Sequence, residues 1–424
     1  MSEAPSSPQQ PESGVNEAPS PLRRPEFRKL LAISITVALG FGMVIPVMPL
    51  YAKSFGVGVA LIGMVQVVFG STRFSFGLVS GLVVDRFGER ACTIAGLLTV
   101  SASSYAAGFA QSFPQLVLAR GFGGAGSALF IGGLMNRILR IIEPAAMGRA
   151  TGAFRSSFLV GIGLGPLFGG FIAHRYGLAA PFHVYATGLL LAAAIAFVVM
   201  RGEAREMDAQ KKSIKESLRA AAPLWKDQRY VIALLATFVG WWTISGPAQT
   251  VGPIFADDVL EFSESQIGLA ITMLAVGEIL ILLIAGRAAD RYGRRAVLVP
   301  SLAVTAIATA LLGQVGSAPW AYYVVMVAIG GGIAAGGAAA GGLLADAIPK
   351  GGSGAAVGVN QMAGDVGYLI SPLAIGTLAQ EASYSIAYVA GAIPAAAILL
   401  ASLRLPKGVP STSQEPMPEP AALG

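Results

Sequence analysis

Five ionisable side chains, Arg73, Arg120, Arg155, Glu278 and Asp365, stand inside long apolar stretches of a 424-residue chain. An unpaired charge at the centre of a membrane-crossing helix costs about 2.5 to 3.5 kcal/mol on insertion scales, so such groups must face one another or a wet cavity. A carboxylate in that setting can carry protons: beside a cation it stays charged, and once separated in a dry place it takes up a proton. Asp365 and Arg73 suit this chemistry, because helical rise puts both roughly 16 to 18 Å deep from the same face. Glu278, facing Arg155, is the rival carrier, and a permanent structural ion pair between Asp365 and Arg73 stays open beside both. No nucleophile with a neighbouring base stands out in the sequence. Cys92 is the single cysteine, and His174 and His183 lie nine apart with no partner ligands, so neither an enzyme nor a metal site is expected.

The elements that hold these charges are set by composition. Apolar residues make up 54% of the chain and charged residues only 12%, against about 25% charged in soluble domains. With a mean hydropathy of +0.67, an ordinary soluble protein is excluded. Apolar runs predict an all-α membrane protein with twelve spans, near 29–52, 59–83, 91–111, 114–138, 150–173, 181–200, 228–252, 265–286, 296–315, 319–345, 354–379 and 384–403. The domain plan is a disordered tail (1–26), a six-helix bundle (27–200), a cytoplasmic linker (201–227), a second six-helix bundle (228–405) and a disordered tail (406–424). Within the linker, Ile214, Leu218, Ala222 and Trp225 recur at helical spacing, which suits an amphipathic helix on the membrane face or a solvated linker. With both termini cytoplasmic, 24 of the 29 Lys and Arg residues fall on inner segments, against only Lys53 and Arg175 on outer loops. That bias follows the positive-inside rule and explains a pI near 9.5 without nucleic acid. The outer loop after span 7 is acidic, with Asp257, Asp258, Glu261 and Glu264. The 54 glycines predict closely packed helices.

The chain also repeats. Gly81-Leu-Val-Val-Asp85-Arg86-Phe-Gly88-Glu-Arg90 returns 205 residues later as Gly286-Arg-Ala-Ala-Asp290-Arg291-Tyr-Gly293-Arg-Arg295. Pro49 maps to Pro253, Gly63 to Gly268 and Pro166 to Pro372 at nearly the same displacement. Two parallel halves of this kind place a binding site near the midplane between them, opened to alternate sides by rocking.

Four motifs resemble the major facilitator superfamily, and more narrowly its twelve-span drug:proton antiporter family, over residues 27 to 405. The first is the repeated loop just quoted. Leu39-Gly40 with Pro46 and Pro49 in span 1 is similar to the family's L-G-x-x-x-x-x-P-x-x-P. Arg120-Gly-Phe-Gly123-Gly124-Ala-Gly126 in span 4 is similar to R-x-x-x-G-x-G. That segment also spells G-x-G-x-x-G, but the preceding strand and soluble helix of a dinucleotide site are missing. The fourth and most specific is Gly161, Gly165, Pro166, Gly169 and Gly170 in span 5, which fits the antiporter signature G-x-x-x-G-P-x-x-G-G. The resemblance implies two pseudo-symmetric six-helix bundles. It makes Asp85, Arg86, Arg90, Asp290, Arg291 and Arg295 gate residues latching the inner face, gives Arg120 a part in proton coupling, and packs the span 5 motif against the other half to limit leak. Glu89 stands where the family usually has a base, and span 1 carries no acidic residue.

Phe41, Phe69, Trp241, Trp242, Gln249, Asn360, Gln361 and Tyr368 could line a mixed aromatic and polar cavity, or serve as packing. Arg120 could equally snorkel to the outer face. In function the resemblance implies a proton-coupled exporter of small amphiphilic molecules, in the manner of drug efflux and multidrug resistance, in the cell (plasma or inner) membrane. Its expected partners are a small-molecule substrate, protons and the lipid bilayer, with no cofactor and no nucleic acid, as a monomer. A specific metabolite or lipid exporter, an uncoupled facilitator of the same fold, and a non-transporting scaffold or sensor are the alternatives.

Overall fold

The structure, a computed structural model, describes residues 21–143, 146–200, 222–316, 318–348 and 354–406. The expected tails and most of the linker, including Ile214 and Leu218, lie outside them. Ala222–Lys226 forms a short 3-10 helix whose Trp225 sets its ring edge-on to Tyr230.

Among the described residues, twelve helices are long and apolar enough to cross a membrane: spans 1 to 6 are Pro25–Val44, Val59–Phe87, Glu89–Gly108, Phe113–Ile141, Met147–Tyr176 and Ala180–Val199. Spans 7 to 12 are Gln228–Asp258, Glu264–Leu282, Arg294–Gln314, Pro319–Ala347, Ala356–Glu381 and Tyr384–Ser402. The helix of span 8 itself continues to Tyr292.

The first motif is helical rather than a loop. Span 2 runs to Phe87, Gly88 turns the chain at φ +82°, and span 3 begins at Glu89; Gly293 does the same at φ +92° between spans 8 and 9. Only glycine adopts that conformation without a steric cost, which explains the last Gly of each copy. Span 1 breaks at Ile45 and Pro46 and resumes as Val47–Lys53, as two prolines require. Span 7 accommodates Pro247 differently, through a π-helical stretch, Ile244–Val251, in which the Thr250 hydroxyl donates to the Ser245 carbonyl at 2.8 Å.

Within each half, glycines set the approach of helices. Gly96 and Gly126 bring spans 3 and 4 into backbone contact, and Gly332 lays span 10 on Ser301 and Thr305 of span 9. The halves meet along spans 2 and 11 and along spans 5 and 8. A Cβ on Gly63 would lie 2.8 Å from the Pro372 carbonyl carbon, and Gly268 is pressed in the same way on the Pro166 carbonyl. These two contacts are repeats of one another.

The span 5 motif packs differently from expectation. Gly161, Gly165 and Gly169, spaced by four on one ridge, lie against Ala38, Gly42 and Met43 of span 1 in their own half. Of the motif residues, Pro166 and Gly170, on the neighbouring ridge, touch the other half, at Gly268 and Glu264.

The interface closes at one end only. Towards the face that bears the Asp85 and Asp290 motifs, a Cβ at Gly77 or Gly81 (span 2), Gly148 or Gly152 (span 5), Gly286 (span 8) or Gly358 (span 11) would meet no described atom within 4 Å. On all four interface helices, glycines near the motif face thus border open space, whereas Gly63, Gly170 and Gly268 near the other face are pressed on the opposite half.

Candidate functional site: a central cavity closed at one face

The closed end is built from residues the sequence reading did not assemble. Lys53, at the end of span 1, pairs with Asp257 at 2.6 Å and with Asp258, both at the end of span 7. Tyr384 donates to Asp258 at 2.5 Å, and Gln380 accepts from the Ala60 amide at 3.2 Å. His174 meets Glu264 at 3.0 Å, and Thr250 donates to Gln66 at 2.7 Å below this plug. The available signal was the repeat: Lys53 and the two aspartates occupy matching positions, 204 and 205 residues apart, with opposite charge. Burial alone would lower the Lys53 pKa, but the hydrogen bonds to Asp257 and Asp258 outweigh it and raise it above the usual lysine value.

Below the plug, side chains from several spans converge. Arg120 is buried, 4% exposed, with its guanidinium carbon 4.6 Å from the centre of the Phe69 ring. Snorkelling is thus excluded. Its Nε and Nη1 are enclosed without a hydrogen-bond partner. Phe69 stacks on Phe41 at 5.9 Å, and Tyr368 meets Trp241 edge-on at 6.0 Å. Tyr185 and Tyr368 lie within electrostatic range of both Arg73 and Arg120, and Asp365 within that of Arg73.

The expected cavity set divides. Phe41, Phe69, Trp241 and Tyr368 form this aromatic lining, with Gln249 half-buried in the π-helical stretch and Gln361 exposed on span 11. Trp242 instead donates to the Gly391 carbonyl at 3.0 Å and stacks on Phe238, tying span 7 to span 12. Asn360 accepts from Thr237 at 2.9 Å, joining spans 7 and 11.

The charges are less paired than expected. Arg73 and Asp365 interact across the interface without forming a close ion pair. Among the described residues Glu278 has no hydrogen-bond or ion-pair partner, and Arg155 does not reach it. The reason is depth: Gly163, eight residues further along span 5 than Arg155, is the residue that packs on Ala275 and Ile279 beside Glu278. At 1.5 Å rise, that separates the two charges by about 12 Å along the helix.

Glu278 has a different counterpart. A Cβ on Gly124 would lie 3.0 Å from the Arg73 amide nitrogen, and one on Gly330 would lie 3.1 Å from that of Glu278. Arg73 and Glu278 are the same position in the two halves, with opposite charge.

At the motif face, Arg90 donates to the Phe197 carbonyl at 2.9 Å with its guanidinium over that ring, and Arg295 to the Leu405 carbonyl at 2.7 Å. Arg86 and Arg291 lie beside the rings of Phe87 and Tyr292, and Arg294 pairs with Asp290. Glu89, where a base was expected, is bound by Arg137 at 2.8 Å and by Arg140, and Arg137 also holds Glu26. These interactions stay within one half.

A two-bundle, twelve-span helical protein with buried charges at mid-depth between repeated halves is the architecture of a transporter. The Major Facilitator Superfamily model matches residues 30–263 and 247–422, and the chain belongs to that superfamily. It is 28% identical over 243 residues to Multidrug resistance protein 1 of Bacillus subtilis, covering 55% of this chain and 59% of that protein's length. It is 23% identical over 351 residues to the multi-drug resistance efflux pump PmrA of Streptococcus pneumoniae, covering 81% and 86%. Among solved structures, the nucleoside transporter NupG aligns with a TM-score of 0.72 at 14% identity over 90% of this chain and 98% of that one. A D-xylose-proton symporter aligns with a TM-score of 0.70 at 15% identity over 92% and 99%.

Proposed function

We propose that the protein is a proton-coupled exporter of small amphiphilic molecules that works by alternating access, with the motif face and both termini cytoplasmic. The observation that carries this reading is the mid-depth cluster between the halves: Arg73, Arg120 and Asp365 beside Phe69, Tyr185 and Tyr368, below the Lys53 plug that ties the halves together at one face. In this orientation the structure is the inward-open state, ready to load substrate from the cytoplasm or inner leaflet. The efflux function of the named relatives points the same way.

Asp365 is the proposed proton carrier. It lies on span 11 and its cation, Arg73, on span 2, so rocking of the halves changes their separation and with it the charge on the carboxylate. Glu278 has no charged partner among the described residues for rocking to bring near or take away. For the return stroke the Lys53 plug must break, and the two motif copies at Asp85 and Asp290 close the cytoplasmic face. Accumulation of a fluorescent amphiphile in inside-out vesicles, driven by an inward-acid proton gradient and abolished by collapsing it, tests the reading. Equal accumulation with and without the gradient would remove proton coupling.

A further inference from the structure

We propose that Arg120 is a docking point for an anionic group, and that the molecules the cavity accepts are aromatic carboxylates. The inference deepens the exporter reading and rests on it for its transport consequence. Arg120 stands seven residues inside span 4, buried at 4% exposure, and Nε and Nη1 meet neither a carboxylate nor a carbonyl. A buried cation left in this condition is costly unless something else supplies the countercharge. Phe69 lies against the guanidinium, and the donors left without a partner, Nε and Nη1, sit one on each of the group's two forks, which are the geometry that holds a carboxylate.

The surroundings select for the rest of the ligand. The Phe41 and Phe69 stack and the Trp241 and Tyr368 pair offer ring faces on two sides. Tyr185 and Tyr368 place phenols near the two arginines, and among the described residues neither hydroxyl has a hydrogen-bond partner. The local charge is also unbalanced: Asp365 interacts with Arg73, no carboxylate lies within electrostatic range of Arg120, and Glu278 interacts with neither arginine. An organic cation would add a third positive charge to this group, whereas a carboxylate balances it. The second half carries Met326 where Arg120 stands in the first, four residues before the Gly330 that matches Gly124, so the arginine is not a packing element that the fold needs twice.

Equilibrium dialysis of the purified full-length protein against three matched probes tests this: 1-naphthylacetate, its primary amide and 1-naphthylethylamine. The expected result is that wild type binds the acetate about tenfold or more tighter than the amide, the worth of one charge-assisted bidentate contact. Arg120→Gln should lower acetate affinity to that of the amide and leave the amide unchanged, with Arg120→Lys intermediate. Equal affinity for acetate and amide in wild type, preference for the amine, absence of binding by all three at millimolar concentration, or an undiminished preference in Arg120→Gln would each overturn the assignment. The wild-type comparison holds even if a variant fails to fold. Gradient-driven movement of the same probes in vesicles reports separately on the exporter reading: an acetate preference in binding with no movement of any probe would sink export and leave the docking point standing.

Discussion

Gly63 on span 2 and Pro372 on span 11 touch across the two halves, and a Cβ at Gly63 would lie 2.8 to 2.9 Å from the proline backbone and ring. That is closer than side chains and backbone approach in folded proteins, so this contact closes only because residue 63 has no side chain. Gly268 and Pro166 repeat it on the other side of the cavity.

Gly63→Val should therefore hold the plugged face ajar. The expected outcome is a longer distance between spin labels on the Lys53-end loops of the two halves and at least about a tenfold loss of transport. Gly77→Ala, on the same helix but facing open space, should leave the inward-open distances unchanged and alter stability by no more than about 1 kcal/mol. Equal effects of the two substitutions would contradict the contact.

Lys53→Met should loosen the same face more mildly. Partly exposed ion pairs contribute about 0.2 to 1 kcal/mol each, and Lys53 makes two. Its pKa is raised by Asp257 and Asp258, so the contribution is complete below the ordinary lysine value and is lost only as pH climbs through the raised one. Closure of this face should hold steady from about pH 6 to pH 9. A label distance that widens across that range in wild type would show that another group controls the plug.

Arg120→Met should stabilise the protein while removing its preference for carboxylates. Each buried unsatisfied polar group costs about 1 to 3 kcal/mol, and Nε and Nη1 of Arg120 are both unsatisfied. A thermal midpoint a few degrees above wild type, with binding impaired, is the expected pairing of stability against function. A lowered midpoint would mean that the arginine holds the bundle together.

Much of this was legible in the sequence because it rests on patterns. Apolar run length located the twelve spans, and the 205-residue displacement of Asp85-Arg86 to Asp290-Arg291 exposed the two halves. Features that depend on relative depth were not legible. Arg155 and Glu278 lie on helices that do meet, but Arg155 is about 12 Å too close to the motif face. The resemblance places the span 5 motif between the halves; the ridge of Gly161, Gly165 and Gly169 faces span 1 instead, because the helix repeat separates it from Pro166 and Gly170. The Lys53 plug is legible only through the repeat, which sets Lys53 opposite Asp257 and Asp258 at matching helix ends; the lysine's own surroundings in the chain give no hint of its partner. The π-helical stretch at Ile244–Val251 is a local answer to Pro247 that span 1, breaking at Pro46, does not need.

The exchange of a proton for a substrate through Asp365 is the account's central claim, and one measurement reaches it directly. Inside-out vesicles containing wild type, Asp365→Asn or Glu278→Gln, loaded with a pH probe and energised to an acid interior, are challenged with the three naphthyl compounds. The account predicts compound-dependent proton release in wild type and in Glu278→Gln, and none in Asp365→Asn. Undiminished release in Asp365→Asn would contradict it.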